Sequence, residues 1–166
     1  MESSFLYGTV ATCLAGLVPL IVYALECRGK RKNTTLEKCE QFQRDVVPEY
    51  ISLVRFHEQN KLGIIDGFHV YAIDKMKVVI KDRIETDEMV KNFLDRVMFL
   101  FNKMDAFAAF VNSRSVTNKE LAFAIQGKAY CDIINDFKNL YDLYICIDPQ
   151  GYSELKKLYD KWILKL

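Results

Sequence analysis

Residues 86–112 read TDEMVKNFLDRVMFLFNKMDAFAAFVN. Thr86 is a residue type that caps a helix, and Asp87 and Glu88 suit the positive end of the helix dipole. After them Val90, Phe93, Leu94, Val97, Met98, Phe101, Met104, Phe107, Ala108 and Val111 recur at spacings of three and four. That is the period of one helix face. A stripe this broad has to be buried against more than one neighbour. The stretch therefore predicts a long central helix in an all-α bundle.

On its C-terminal side, Thr117-Asn118-Lys119-Glu120 has the spacing of a capping box. It predicts a second long helix running to about Ile145. Leu121, Ala124, Ile125, Ile133, Ile134, Phe137, Tyr141 and Tyr144 would face inward. The short link over 113–116 makes the two helices an antiparallel pair. Asp148-Pro149 then reads as an N-cap followed by Pro in a first turn, so a last helix is expected to start there. Tyr152, Leu155, Leu158, Tyr159, Trp162, Ile163 and Leu166 fall along one side of it, away from Lys156, Lys157, Lys161 and Lys165. Such a helix can close the bundle. Alternatively, Lys156, Lys157, Lys161 and Trp162 can rest on an anionic membrane surface.

On the N-terminal side, Leu36, Cys39, Phe42 and Val46 continue the helical pattern. Thr34 and Glu37 have capping-box spacing, so a helix either starts there or passes through. Pro48 suits the first turn of another helix, to about Gln59, carrying Tyr50, Ile51 and Val54. Residues 60–67 read as a connector. Over 68–84, Asp66-Gly67 and Val78-Val79-Ile80 favour a hairpin, whereas Ala72, Ile73, Met76, Val79 and Ile80 share a helix face. Helix is the expectation.

Phe5 to Leu25 carry no charged residue. At about 1.5 Å per residue a helix of that length spans roughly 30 Å, the thickness of a bilayer core. A cleaved signal peptide would have a basic start and a shorter apolar run, so an uncleaved anchor is expected. Arg28, Lys30, Arg31 and Lys32 follow directly, and no Lys or Arg precedes. The positive-inside rule puts the N-terminus outside and the rest in the cytoplasm, as a single pass. Gly8, Thr12 and Gly16 form a small-residue face that permits close approach of a second span. The expected division is an anchor with its basic segment over 1–32 and a cytosolic bundle of about five helices over 33–166.

The chain has 166 residues and a net charge of +1. The four basic residues beside the span account for that sign, because the chain beyond Lys32 is slightly acidic. The balance excludes a nucleic-acid binder that works by bulk charge. Five Cys without a C-x-x-C pair, in a cytosolic setting, read as reduced thiols. His57 and His69 have no metal-ligand spacing. Phosphate-loop, dinucleotide and nucleophile-elbow motifs are absent. No cofactor, no metal and no catalytic constellation is therefore expected. Asn102 and Asp105, at i and i+3, are the one polar pair worth naming. They would bind a small polar ligand or fix helix register, since buried polar groups need partners.

The run Phe101-Asn102-Lys103-Met104-Asp105-Ala106-Phe107-Ala108, followed after a short link by Val116-Thr117-Asn118-Lys119-Glu120-Leu121-Ala122-Phe123, resembles an uncharacterised bacterial family. Its members have one N-terminal span and a small cytosolic helical bundle. The family shows an Asn and, three positions on, an acidic residue; Asn102 and Asp105 hold those places, with Asp where Glu is usual. The Trp usual in the last long helix is replaced by Phe137 or Tyr141. The likeness covers about 33–145. It implies architecture and a bacterial inner-membrane location, and no activity.

The expected function is a membrane-anchored, non-enzymatic module that binds a protein partner or itself, with the lipid bilayer as its other partner. A small-ligand sensor or enzyme built on Asn102 and Asp105 is one alternative. A small protein that acts on the membrane itself is another.

Overall fold

The computed structural model describes residues 2–60, 87–113 and 117–166, with side chains from residue 22 onward. The expected helix over 68–84 and link residues 114–116 lie outside that set, as do the side chains of Gly8, Thr12 and Gly16. All described elements are α-helices: α1 Glu2–Asp45, α2 Val47–Asn60, α3 Glu88–Asn112, α4 Lys119–Asp136, α5 Lys138–Ile147 and α6 Ser153–Ile163. The all-α bundle is as the sequence predicts. Among the described residues no helix is long and apolar enough to cross a membrane. Most of the uncharged stretch 5–25 falls where side chains are not described.

Helix α1 does not restart at Thr34. The Thr34 hydroxyl donates to Lys30 O at 2.9 Å and the Thr35 hydroxyl to Arg31 O at 2.7 Å. Both bonds reach back one turn, which keeps these residues inside a helix instead of capping one. The chain bends at Val46, and Pro48 enters the first turn of α2, where its missing N–H costs nothing. On α2, Leu53 and His57 are the buried residues, while Ile51 points outward.

Helix α3 is the centre of the bundle, and its buried residues are those of the predicted stripe with one exchange. Met98 is exposed and Leu100 is wholly buried. Its N-cap is Asp87, not Thr86: Asp87 Oδ1 accepts from the N–H of Met89 at 3.0 Å and of Val90 at 3.3 Å.

Helix α4 departs further from expectation. Asn118 caps it, accepting from Leu121 N at 3.2 Å, while the Thr117 hydroxyl is used on Phe110 O at 2.7 Å. Ala122, Gln126 and Tyr130 face the core, and Ile125 faces solvent. The predicted single helix to Ile145 is two helices. They meet at Phe137, where φ is −105° and ψ is 25°. Asn135 and Asp136 lead into that break, residue types whose side chains compete for backbone groups. The Tyr50 hydroxyl donates to the Asp136 carboxylate, and the Phe137 ring lies against Tyr50 and Phe93. The ring pairs Phe107–Tyr130 and Phe93–Phe137 confirm that α3 and α4 run antiparallel.

A polar seam fixes α1 against α4. Gln126, fully buried, donates from Nε2 to Cys39 O and accepts from Gln43 Nε2, both at 2.9 Å. One end of the seam is the Asn118 N–H, which donates to Thr35 Oγ1 at 2.9 Å. Fully partnered buried amides of this kind specify register as much as they stabilise.

Helix α6 starts at Ser153, later than Asp148-Pro149 suggests. Asp148 caps a turn instead, accepting from Gly151 N at 2.9 Å. Its apolar side packs on the bundle. Trp162 is 1% exposed and meets Tyr130, Phe123 and Phe107 edge-on, with centroids 5.3, 5.7 and 6.4 Å apart. Trp162 is therefore a core residue and presents no face to a membrane, whereas Lys156, Lys157 and Lys161 are exposed.

Candidate functional site

The structure separates Asn102 from Asp105. Asn102 is exposed. Asp105 is half-buried, and its Oδ1 accepts from Leu155 N at 2.7 Å. Burial raises its carboxyl above the ordinary Asp value, and the Glu154 charge adds to this, while the bond from Leu155 N pulls the other way. Asn112, two turns further along α3, donates to Glu154 Oε2 at 2.6 Å. Between them Ala108 is wholly buried. The polar residues of this face hold α6 in place, and a small side chain at the crossing lets the helices approach. Their polar atoms are committed to the fold.

Besides Thr35, Thr117, Gln126 and His57, the buried polar groups include aromatic hydroxyls. The Tyr159 hydroxyl donates to Asn135 Oδ1 at 2.6 Å and the Tyr144 hydroxyl to Leu94 O at 3.1 Å. Burial pushes the pKa of both these tyrosines, and of Tyr130 and Tyr141, upward. None is tuned toward neutral pH, where a general acid or base would work. The Tyr141 hydroxyl is buried without a hydrogen-bond partner among the described residues. Cys39 and Cys131 are buried, and burial pushes their thiols up to about 11. They are packing residues with no nucleophilic character at neutral pH. Among the described residues no cluster of three or more His, Cys, Asp or Glu could hold a metal ion.

The basic residues Arg28, Lys30, Arg31 and Lys32 are all exposed on α1, just before Thr35 enters the core.

The best-formed concavity among the described residues lies between α1 and α3, with a volume of about 290 Å³. Phe42, Val46, Ala106, Phe107 and Phe110 give it an apolar floor. Lys38 and Lys103 stand on its rim, one from each helix. The Lys38 ammonium donates to Gln41 Oε1 at 2.9 Å. The Lys103 ammonium donates to Asp45 O at 3.2 Å and lies 4.5 Å from the centre of the Phe99 ring. The one carboxylate lining the groove belongs to Asp45, which is paired with Arg44 at 3.2 Å. The groove thus combines an apolar floor with two lysines, one amide and one carboxylate.

The sequence does carry a signal for it. Lys103, Ala106, Phe107 and Phe110 fall at i, i+3, i+4 and i+7, and Lys38, Phe42 and Val46 at i, i+4 and i+8. Each helix thus presents a lysine followed by an apolar row, but only the fold sets the two rows face to face. No protein family, curated protein or solved structure matches this chain.

Proposed function

We propose that the chain is a single-pass, membrane-anchored helical module of a bacterial inner membrane, with its N-terminus outside and its bundle in the cytoplasm. It works by binding, to a protein partner or to itself, and not by catalysis. The observation that supports this best is the continuity of α1 from Glu2 to Asp45. One helix carries the uncharged stretch, then Arg28, Lys30, Arg31 and Lys32, then the core residues Cys39, Phe42 and Val46. From Lys32 to Thr35 is three residues, about 4.5 Å of helix. No linker intervenes, so an anchored α1 would hold the bundle within a turn of the lipid headgroups. The lysine-rimmed groove favours a second partner of small size, considered next.

The test is alkaline extraction of membranes carrying the full chain, combined with reporter fusions at either end. The expected outcome is a protein that stays in the pellet, with a C-terminal reporter active only in the cytoplasm. Recovery in the soluble fraction would overturn the reading.

A further inference from the structure

We propose that the groove between α1 and α3 binds a single-chain anionic amphiphile, with its carboxylate between Lys38 and Lys103 and its apolar tail on Phe42, Val46, Phe107 and Phe110. The charge pattern selects the head. Among the described residues both rim ammonium groups have only uncharged hydrogen-bond partners, an amide oxygen and a carbonyl oxygen. The lysines that form ion pairs among the described residues are others: Lys128 with Asp132, Lys138 with Asp142, Lys156 with Asp160 and Lys157 with Glu154. An incoming carboxylate would set an opposite charge against ammonium groups whose present acceptors are neutral, adding Coulombic attraction to the hydrogen bond.

The floor selects the tail. Five apolar side chains face a volume of about 290 Å³. That is the low end of the range for small-molecule sites, roughly 300–1,000 Å³. It suits one short acyl chain and is too small to seat the side-chain row of a docking helix. Ala106 is exposed in the groove, so no described residue plugs the floor at that point. Under the reading proposed above, the neighbouring membrane leaflet is a source of such molecules. The groove itself lies within residues 38–110, so binding there stands or falls separately from the anchor.

The experiment uses the full chain in nanodiscs of zwitterionic phosphatidylcholine and a decanoic acid carrying a photoactivatable group at its tail. Mass spectrometry then locates the label. Label is expected on Phe42, Phe107 or Phe110. Unlabelled decanoate should displace it, and decanol should do so about tenfold less well, because its hydroxyl brings no charge to the two ammonium groups. In the double variant Lys38→Gln, Lys103→Gln, decanoate should fall to the level of decanol while decanol is unchanged. Ala106→Trp, at an exposed position, should block both. Lys38→Gln alone touches only Gln41 and keeps the test valid if the Lys103 variant fails to fold. Equal displacement by decanol and decanoate in the natural sequence would overturn the proposal. So would label outside the groove, or labelling that falls as protein concentration rises, which would put a second copy there.

Discussion

Asp105 performs for α6 what its own N-terminal residue does not. Tyr152 stands at the N-cap and makes no side-chain hydrogen bond there. The orphan N–H of Leu155 takes its acceptor from α3 instead. The carboxyl is raised above its ordinary value, chiefly by burial. A raised acid contributes stability below its unfolded-state pKa and loses it as pH rises through the folded one. The bundle should therefore gain stability from this group on mild acidification. Asp105→Asn keeps an oxygen acceptor and removes the buried charge. It should match or exceed the natural chain at neutral pH and lack this acid-side gain. Asp105→Ala loses the cap and should cost about 1–2 kcal/mol. Urea unfolding across the acid range distinguishes them, and an Asn variant as weak as the Ala variant would contradict this account.

The cysteines divide at the same scale. Cys39 and Cys131 are buried with thiols pushed up to about 11, whereas Cys146 is exposed. Alkylation of the folded protein near pH 8 should modify Cys146 and spare the other two until denaturant is added. Peptide mapping reads this directly, and equal labelling of all three would show that the core opens readily.

At the scale of elements, what was legible in the sequence depended on how one-sided each helix is. The α3 stripe could be read because its apolar residues hold the helical period for six turns. Its cap was misplaced by one residue because Thr86 and Asp87 are both good caps, and sequence alone does not rank them. Helix α4 was harder. Its inward face is centred on Gln126, whose amide is satisfied by Cys39 O and Gln43 on α1. Reading apolar residues alone rotates the helix toward Ile125, which is exposed. The break at Phe137 was equally hidden, because apolar Phe137 and Tyr141 continue the helical pattern across it. Helix α6 was ambiguous in sequence between bundle and membrane surface, and the aromatic cluster around Trp162 resolves it. Trp162→Ala should cost about 3–5 kcal/mol, the usual range for deleting a buried large aromatic. Against a typical domain stability of roughly 5–15 kcal/mol this is a large share. Thermal melting should show a strongly lowered or lost transition. An unchanged melt would mean that α6 is peripheral.

For the whole molecule, the informative charge is local. The net charge of +1 is set by Arg28, Lys30, Arg31 and Lys32, which sit on the exposed surface of α1 between the uncharged stretch and the core. They make no ion pair among the described residues, so their removal should leave the bundle intact. If the chain is anchored as proposed, their effect should instead be on orientation, because Lys and Arg flanking a span keep that side in the cytoplasm. Replacing all four by Gln should leave the circular dichroism and melting of the chain unchanged. A C-terminal reporter should then change from wholly cytoplasmic to mixed or external. A reporter that stays cytoplasmic, with the protein still resistant to alkaline extraction, would show that the bundle and not the basic cluster sets the topology.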